Sequence, residues 1–205
     1  MKKWIVVLAL LLLAGCAEMP AAGTAEEEEE QTQQREVMDA ALVETQARPL
    51  TQAEIRSAYD RAVTAYSWFD LTPLPCTQEV QTVDGWTYQK VDYPGIEDLA
   101  DLRAYLRVVF SEDLTERLLE RGDHPVYRDV DGELYAAVGA GREKDSGKGS
   151  VGVEITQESE NVYSVEVTVE LLDATRSSVV GVECYSFPYE FMDGGWVFTD
   201  FQLVN

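Results

Sequence analysis

This 205-residue chain has one histidine, three cysteines, 16 lysines and arginines together, and no long apolar run. The single histidine, His124, excludes a His-rich zinc site and leaves little from which to build a catalytic triad. It precedes Pro125, which biases it to extended backbone. Pairing with a carboxylate would make it a general acid or base; a solvated loop residue is the plainer expectation. No H-x-x-x-H, C-x-x-C or D-x-D-x-D-G pattern occurs, so neither a metal site nor a cofactor is expected. The scarcity of cations is matched by 38 Asp and Glu, giving a formal charge of -22. From Leu50 to Asn205 there are 12 cationic and 29 acidic residues, about -17 for that part alone. Such a field repels nucleic-acid phosphates and favours basic partners or cations, and it also keeps a protein soluble.

The longest apolar run, Trp4 to Ala14, has 11 residues. A spanning helix needs roughly 17–25, whereas this length and the Met1-Lys2-Lys3 start suit the h-region of a signal peptide. The run closes on Leu13-Ala14-Gly15-Cys16, with small residues before a cut between Gly15 and Cys16 and a thiol directly after it. Leu-Ala-Gly-Cys in this position resembles the lipobox of bacterial lipoproteins. The resemblance implies a diacylglyceryl group on Cys16, cleavage before it, and a membrane-anchored protein facing outside the cytoplasm. Ala17 to Pro49 follows with nine acids, two arginines, no aromatic residue and five consecutive glutamates, Glu26 to Glu30. Such a composition cannot fold alone, and its like charges extend it. Fully stretched, its 33 residues reach at most roughly 110 Å. The expected organisation is a signal peptide over 1–15, lipidated Cys16 with an acidic tether over 16–49, and one domain over 50–205.

In the remainder, Thr51-Gln52-Ala53-Glu54 reads as a capping box. Ile55, Tyr59, Ala62, Tyr66 and Phe69 at helical spacing predict a helix from Gln52 to Phe69, stopped by Pro73 and Pro75. Asp84-Gly85 in "EVQTVDGWTYQKV" predicts a tight hairpin. Leu99, Leu102, Leu106 and Val109 mark a second helix, and Ser111 caps a third with Leu114 and Leu118 inward. Beyond Pro125 the period becomes two, with hairpins at Asp131-Gly132 and Asp193-Gly194-Gly195. Tyr163, Val165, Val167, Val169 and Leu171 share one strand face, and Ser164, Glu166, Thr168 and Glu170 share the other. Helices followed by antiparallel strands predict an α+β domain, about three helices on one curved sheet of about six strands.

Few residues suggest chemistry. "GAGREKDSGKGS", Gly139 to Ser150, imitates a phosphate-binding loop but has five residues between Gly141 and Gly147 where four are required. Gly149 also follows Lys148 where Ser or Thr should stand. A mobile loop between strands is expected instead, and Arg142, Lys144 and Lys148 with Arg128 form a candidate contact patch. Asp129, Asp131 and Glu133 alternate along a hairpin and could share a face. Trp68, Phe69, Trp86, Tyr88 and Tyr93 are expected in the core. No G-x-S-x-G elbow occurs, and no enzyme activity is expected. With Cys16 taken by lipid, Cys76 and Cys184 remain as either a disulfide or two free thiols.

The span "YQKVDYPGIEDLADLRAYLRVVFSEDLTERLLERG" followed by "VYRDVDGELYAAVGAG" resembles the IseA family of DL-endopeptidase inhibitors. The likeness is one of element order: a Tyr-rich strand, a Leu-spaced helix, a short helix, and an x-Gly-x-Leu-Tyr strand before a Gly-containing loop. It implies an acidic, wall-facing, non-catalytic inhibitor that occludes NlpC/P60-type cysteine hydrolases cutting peptidoglycan stem peptides. The ending "DGGWVFTDFQLV" is similar to the last strand of NTF2-like cones, which implies a module holding a small ligand among aromatics such as Trp86, Tyr88 and Tyr185. The partners expected are therefore the membrane, through the anchor, and a cell-wall hydrolase. A monomer and no nucleic acid complete the expectation.

Overall fold

Thr51 caps the first helix among the described residues, α1 (Gln52–Asp70). The Thr51 side chain accepts from Glu54 N at 3.3 Å, and Glu54 Oε2 accepts from Thr51 N at 2.8 Å, closing the expected capping box. This computed structural model describes residues 47–204. The signal peptide, Gly15, Cys16 and nearly all of the acidic tether lie outside the described residues. Ile55, Tyr59, Ala62 and Phe69 are buried as their spacing predicts, joined by Ala58, Ala65 and Trp68. No helix among the described residues is long and apolar enough to cross a membrane.

The elements after α1 are β1 (Cys76–Val83), β2 (Trp86–Val91), α2 (Leu99–Arg107), α3 (Glu112–Leu119), β3 (Tyr127–Val130) and β4 (Glu133–Ala137). The meander β5 (Lys148–Ser159), β6 (Val162–Leu172), β7 (Val179–Met192) and β8 (Gly195–Phe198) completes the order. The chain is thus α+β, with three helices among the described residues. In place of one sheet of about six strands there are two antiparallel sheets of four, ordered β1-β2-β4-β3 and β5-β6-β7-β8. The reason lies in β4, which pairs with β2 on one side and β3 on the other and so leaves no edge for β5.

Asp-Gly dipeptides make all three expected hairpin turns. Asp84, Asp131 and Asp193 have φ of 52, 54 and 51°, each followed by glycine above 80°, the left-handed pair that matches strand twist. On β6, Val165, Val167 and Val169 are completely buried and Tyr163 nearly so, each valine contributing about 1.5–3 kcal/mol. The same face of β7 carries Phe187 and Tyr189, because Val165 pairs with Phe187 and Tyr163 with Tyr189. Against it α1 lays Tyr59, whose ring is 6.4 Å from Phe187 and 5.8 Å from Phe201. Toward the first sheet, Phe69 of α1 meets Tyr127 of β3 edge-on at 5.1 Å. The α2–α3 corner joins the second sheet by backbone: Ser111 N donates to Phe198 O at 2.9 Å and Phe198 N to Val109 O at 3.0 Å. One core cluster therefore holds helix and both sheets together.

Candidate functional site

In the first sheet, register divides the side chains between two faces. Gln89 pairs with Ala136 and Ala136 with Tyr127, so these share the core side with Leu134 and Val91. Lys90 pairs with Tyr135 and Tyr135 with Arg128, while Tyr88 pairs with Ala137. These therefore lie on the far face, together with Trp86 and Glu133. Tyr88 and Tyr135 are 0% and 2% exposed yet stand outside the core cluster. Tyr88 donates its hydroxyl to Pro125 O at 3.2 Å, and the Arg128 guanidinium lies 5.8 Å above its ring. Tyr135 donates to Glu79 Oε1 at 2.9 Å; loss of solvent and that carboxylate push its hydroxyl above the usual phenol range. Around them run two ion pairs, Lys90–Glu133 and Arg128–Asp84, each at 2.5 Å. Glu133 holds the Lys90 ammonium above its ordinary value, and Asp84 does the same for Arg128. Trp86, 47% exposed, packs against His124 with ring centroids 3.7 Å apart and planes tilted by 38°. The accessible part of this cluster is Trp86 and, less so, Arg128, seated over the two buried tyrosines; tryptophan and arginine are residue types enriched in protein-binding hot spots.

The acidic trio of the β3–β4 hairpin does not act as one group. Asp129 pairs with Leu134 and so points to the core side, while Glu133, opposite Val130, belongs to the far face. The two-residue turn sets that difference. Asp129 Oδ1 accepts from Gly132 N at 3.0 Å, and Asp131 occupies the left-handed turn position. Of the three, only Glu133 joins the aromatic cluster.

The anticipated cationic patch is likewise dispersed. Arg128 goes to Asp84, as above. Arg142 is drawn to the end of α1, its Nη2 2.7 Å from Asp70 and its backbone N donating to Asp70 O at 2.9 Å. Arg121 meets the same carboxylate at 3.2 Å. Beside them Gly141 has φ of +100°, and a Cβ there would fall 2.0 Å from Leu71 O. The loop is thus pinned to α1 rather than held by its ends alone, contrary to the expectation of a mobile connection. Lys144 is exposed and makes no ion pair among the described residues; it lines an open groove of about 650 Å³ with Val63, Ser67, Leu71 and Leu203. Lys148 is carried away onto the inner face of the second sheet, where it pairs with Glu183. Tyr185 donates to the same Glu183 carboxylate at 2.5 Å, and Lys148 Nζ to Tyr185 Oη at 3.4 Å. Glu183 holds Lys148 above its ordinary value, and Lys148 holds Glu183 below.

Other expected positions also resolve. Trp68, Phe69 and Tyr93 belong to the core or pack on it, but Trp86 and Tyr88 do not. Trp86 and Tyr88 lie on the far face of the first sheet, and Tyr185 lies on the inner face of the second. Cys76 and Cys184 are free thiols on strands of different sheets, so the disulfide alternative is not what the structure contains. Cys76, half-buried, donates to Leu74 O at 3.2 Å, and burial pushes its thiol up. His124 makes no hydrogen bond or ion pair with a carboxylate among the described residues. Those residues also contain no group of three or more His, Cys, Asp or Glu that could hold a metal ion. Sequence reasoning missed Glu79, Lys90 and Tyr135; the alternation of Tyr88 with Lys90, and of Glu133 with Tyr135, was the available signal. No protein-family model and no curated protein matches this chain.

Proposed function

We propose that this chain is a lipid-anchored extracytoplasmic binding protein that uses the far face of its first sheet to occlude a basic cell-wall hydrolase. A peptidoglycan DL-endopeptidase of the NlpC/P60 type is the target we favour, and the domain itself is non-catalytic and IseA-like. The observation that carries this reading is the exposed Trp86 beside Arg128, held from beneath by buried Tyr88 and Tyr135, on a sheet face outside the core. Steering comes from the charge of -22, which raises the encounter rate with a cationic enzyme at low salt. Occlusion asks for no catalytic group.

The test is capture from a wall extract at low and high salt, followed by hydrolysis assays on whatever is retained. Wild type should retain and inhibit a hydrolase at low salt, and Trp86→Ala should weaken retention about tenfold or more. Retention of no wall enzyme at low salt would sink the proposal. Cys16→Ala should release the protein or stall its processing; a variant still lipid-labelled would refute the anchor. A second reading is an NTF2-like module for a small ligand, favoured by the Lys148–Glu183–Tyr185 cluster beside the stacked Tyr185–Phe187 pair. Ligand binding lost in Tyr185→Phe and kept in Trp86→Ala would favour it.

A further inference from the structure

Pro188 sets the hydrogen-bonding phase of β7. Its carbonyl accepts from Thr199 N at 3.2 Å, on the β8 side, and it has no N–H to offer Ser164 across on β6. Phe191, of opposite parity, donates its N–H to Asn161 O at 2.9 Å on the β6 side. Along a strand the backbone groups of one residue point one way and those of the next point the other. Register with β6 is unbroken from Val162↔Glu190 to Leu171↔Gly181. Val182, Cys184 and Ser186 therefore direct their N–H and C=O as Pro188 does, away from β6. β8 pairs only with Tyr189 to Met192. Among the described residues no hydrogen bond reaches those backbone groups from the open side.

Sheets ordinarily blunt open edges with charge, irregularity or shortness. β5 carries exposed Glu154 and Glu158, β1 has Glu79 and a register break between Cys76 and Val80, and β3 is four residues long. Past the register shift at its start, the open part of β7 from Val182 to Ser186 is neither irregular nor fringed by outward charge. Val182 is 58% exposed, and Cys184 and Ser186 are exposed beside it. The charged side chain within this stretch, Glu183, is turned to the inner face and paired with Lys148.

We propose that the β7 edge from Val182 to Ser186 receives an extended segment of a partner protein as an added strand, with β-branched side chains at alternate positions and Lys or Arg on its flanks. Backbone hydrogen bonds supply affinity in this mode, and side chains at every second position supply selectivity. Charge complementarity chooses the occupant. In the registered pairs of the outer face of the second sheet the charged residues are Glu154, Glu166, Glu170 and Glu190, all acidic. Glu166 lies across from Ser186 and Glu170 across from Val182, so the carboxylates nearest the open edge flank the site where long cationic side chains of the incoming strand would reach. A second copy would add charge of the same sign. The edge is distinct from the far face of the first sheet and stands whether or not that face binds a hydrolase.

The test uses the full chain purified in detergent and a fluorescein-labelled peptide, KKVTVTVKK. Saturable binding is expected, with the amides of Val182, Cys184 and Ser186 gaining hydrogen-exchange protection. Cys184→Pro removes one outward N–H without touching the β6 ladder, and Pro188 shows that β7 accepts proline in this phase. It should weaken binding about tenfold, while Cys184→Ser leaves it unchanged. Equal binding by folded Cys184→Pro, equal binding by EEVTVTVEE, or protection elsewhere would overturn the proposal. So would a dimer of the protein alone that Cys184→Pro abolishes, which would assign the edge to a second copy. Should Cys184→Pro not fold, a peptide N-methylated at its central residues tests the same bonds on wild-type protein, and undiminished binding rejects the added strand.

Discussion

Gly141 and Glu54 show what single residues decide here. Gly141 combines φ of +100° with a Cβ position 2.0 Å from Leu71 O. Alanine must displace backbone rather than a flexible side chain. Gly141→Ala should therefore lose more than about 2 kcal/mol in chemical denaturation, with the β4–β5 loop detached from Asp70. Nothing in "GAGREKDSG" announces this, since the neighbour that forbids a side chain lies 70 residues earlier (141 minus 71). Glu54, by contrast, was legible from its place in the capping box. Arg48 and the Thr51 backbone and hydroxyl together lower its carboxyl from 4.5 to about 2. A folded value below the unfolded one gives a contribution fully present above pH 4.5 and lost as pH falls through about 2. The first turn of α1 should accordingly lose hydrogen-exchange protection, taken relative to the intrinsic rate at each pH, across that window, and Glu54→Ala should show the lower protection already at neutral pH.

Elements were the most readable scale. α1 extends one residue beyond the expected Phe69, and the turns fall on the three Asp-Gly pairs, because caps, apolar spacing and left-handed turn residues are all local signals. The pairing of β2 with β4 is not local, as α2, α3 and β3 intervene, and it is this pairing that divides one expected sheet into two. The candidate site inherits the same limit. Tyr88 and Lys90 alternate visibly, but their meeting with Tyr135 and Arg128 depends on that distant register. Tyr127 illustrates how elements are fastened: its buried hydroxyl donates to Trp68 O at 3.1 Å and accepts from Leu74 N at 2.8 Å. Burial pushes that hydroxyl far above the usual phenol range. Tyr127→Phe should cost about 1–3 kcal/mol in equilibrium unfolding, because it orphans the Leu74 amide between α1 and β1. An unchanged midpoint would show that solvent reaches Leu74.

At the scale of the whole molecule, acidity and the two sheets suggest separate roles, a long-range field and short-range contact surfaces. The field weakens over a Debye length of about 8 Å at physiological salt, so capture driven by it should fall with ionic strength. Contact through Trp86 should not. The two free thiols add a means of watching both surfaces. Cys184 stands exposed on the open edge of β7, and Cys76 sits half-buried at the start of β1, its thiol raised by burial. A thiol-specific dye should thus modify one site quickly in the native protein and a second only on unfolding. Three reactive thiols in unfolded material would mean that Cys16 carries no lipid. With Cys184 labelled alone, the molecule becomes its own sensor: the dye's emission reports whether anything has settled along that strand.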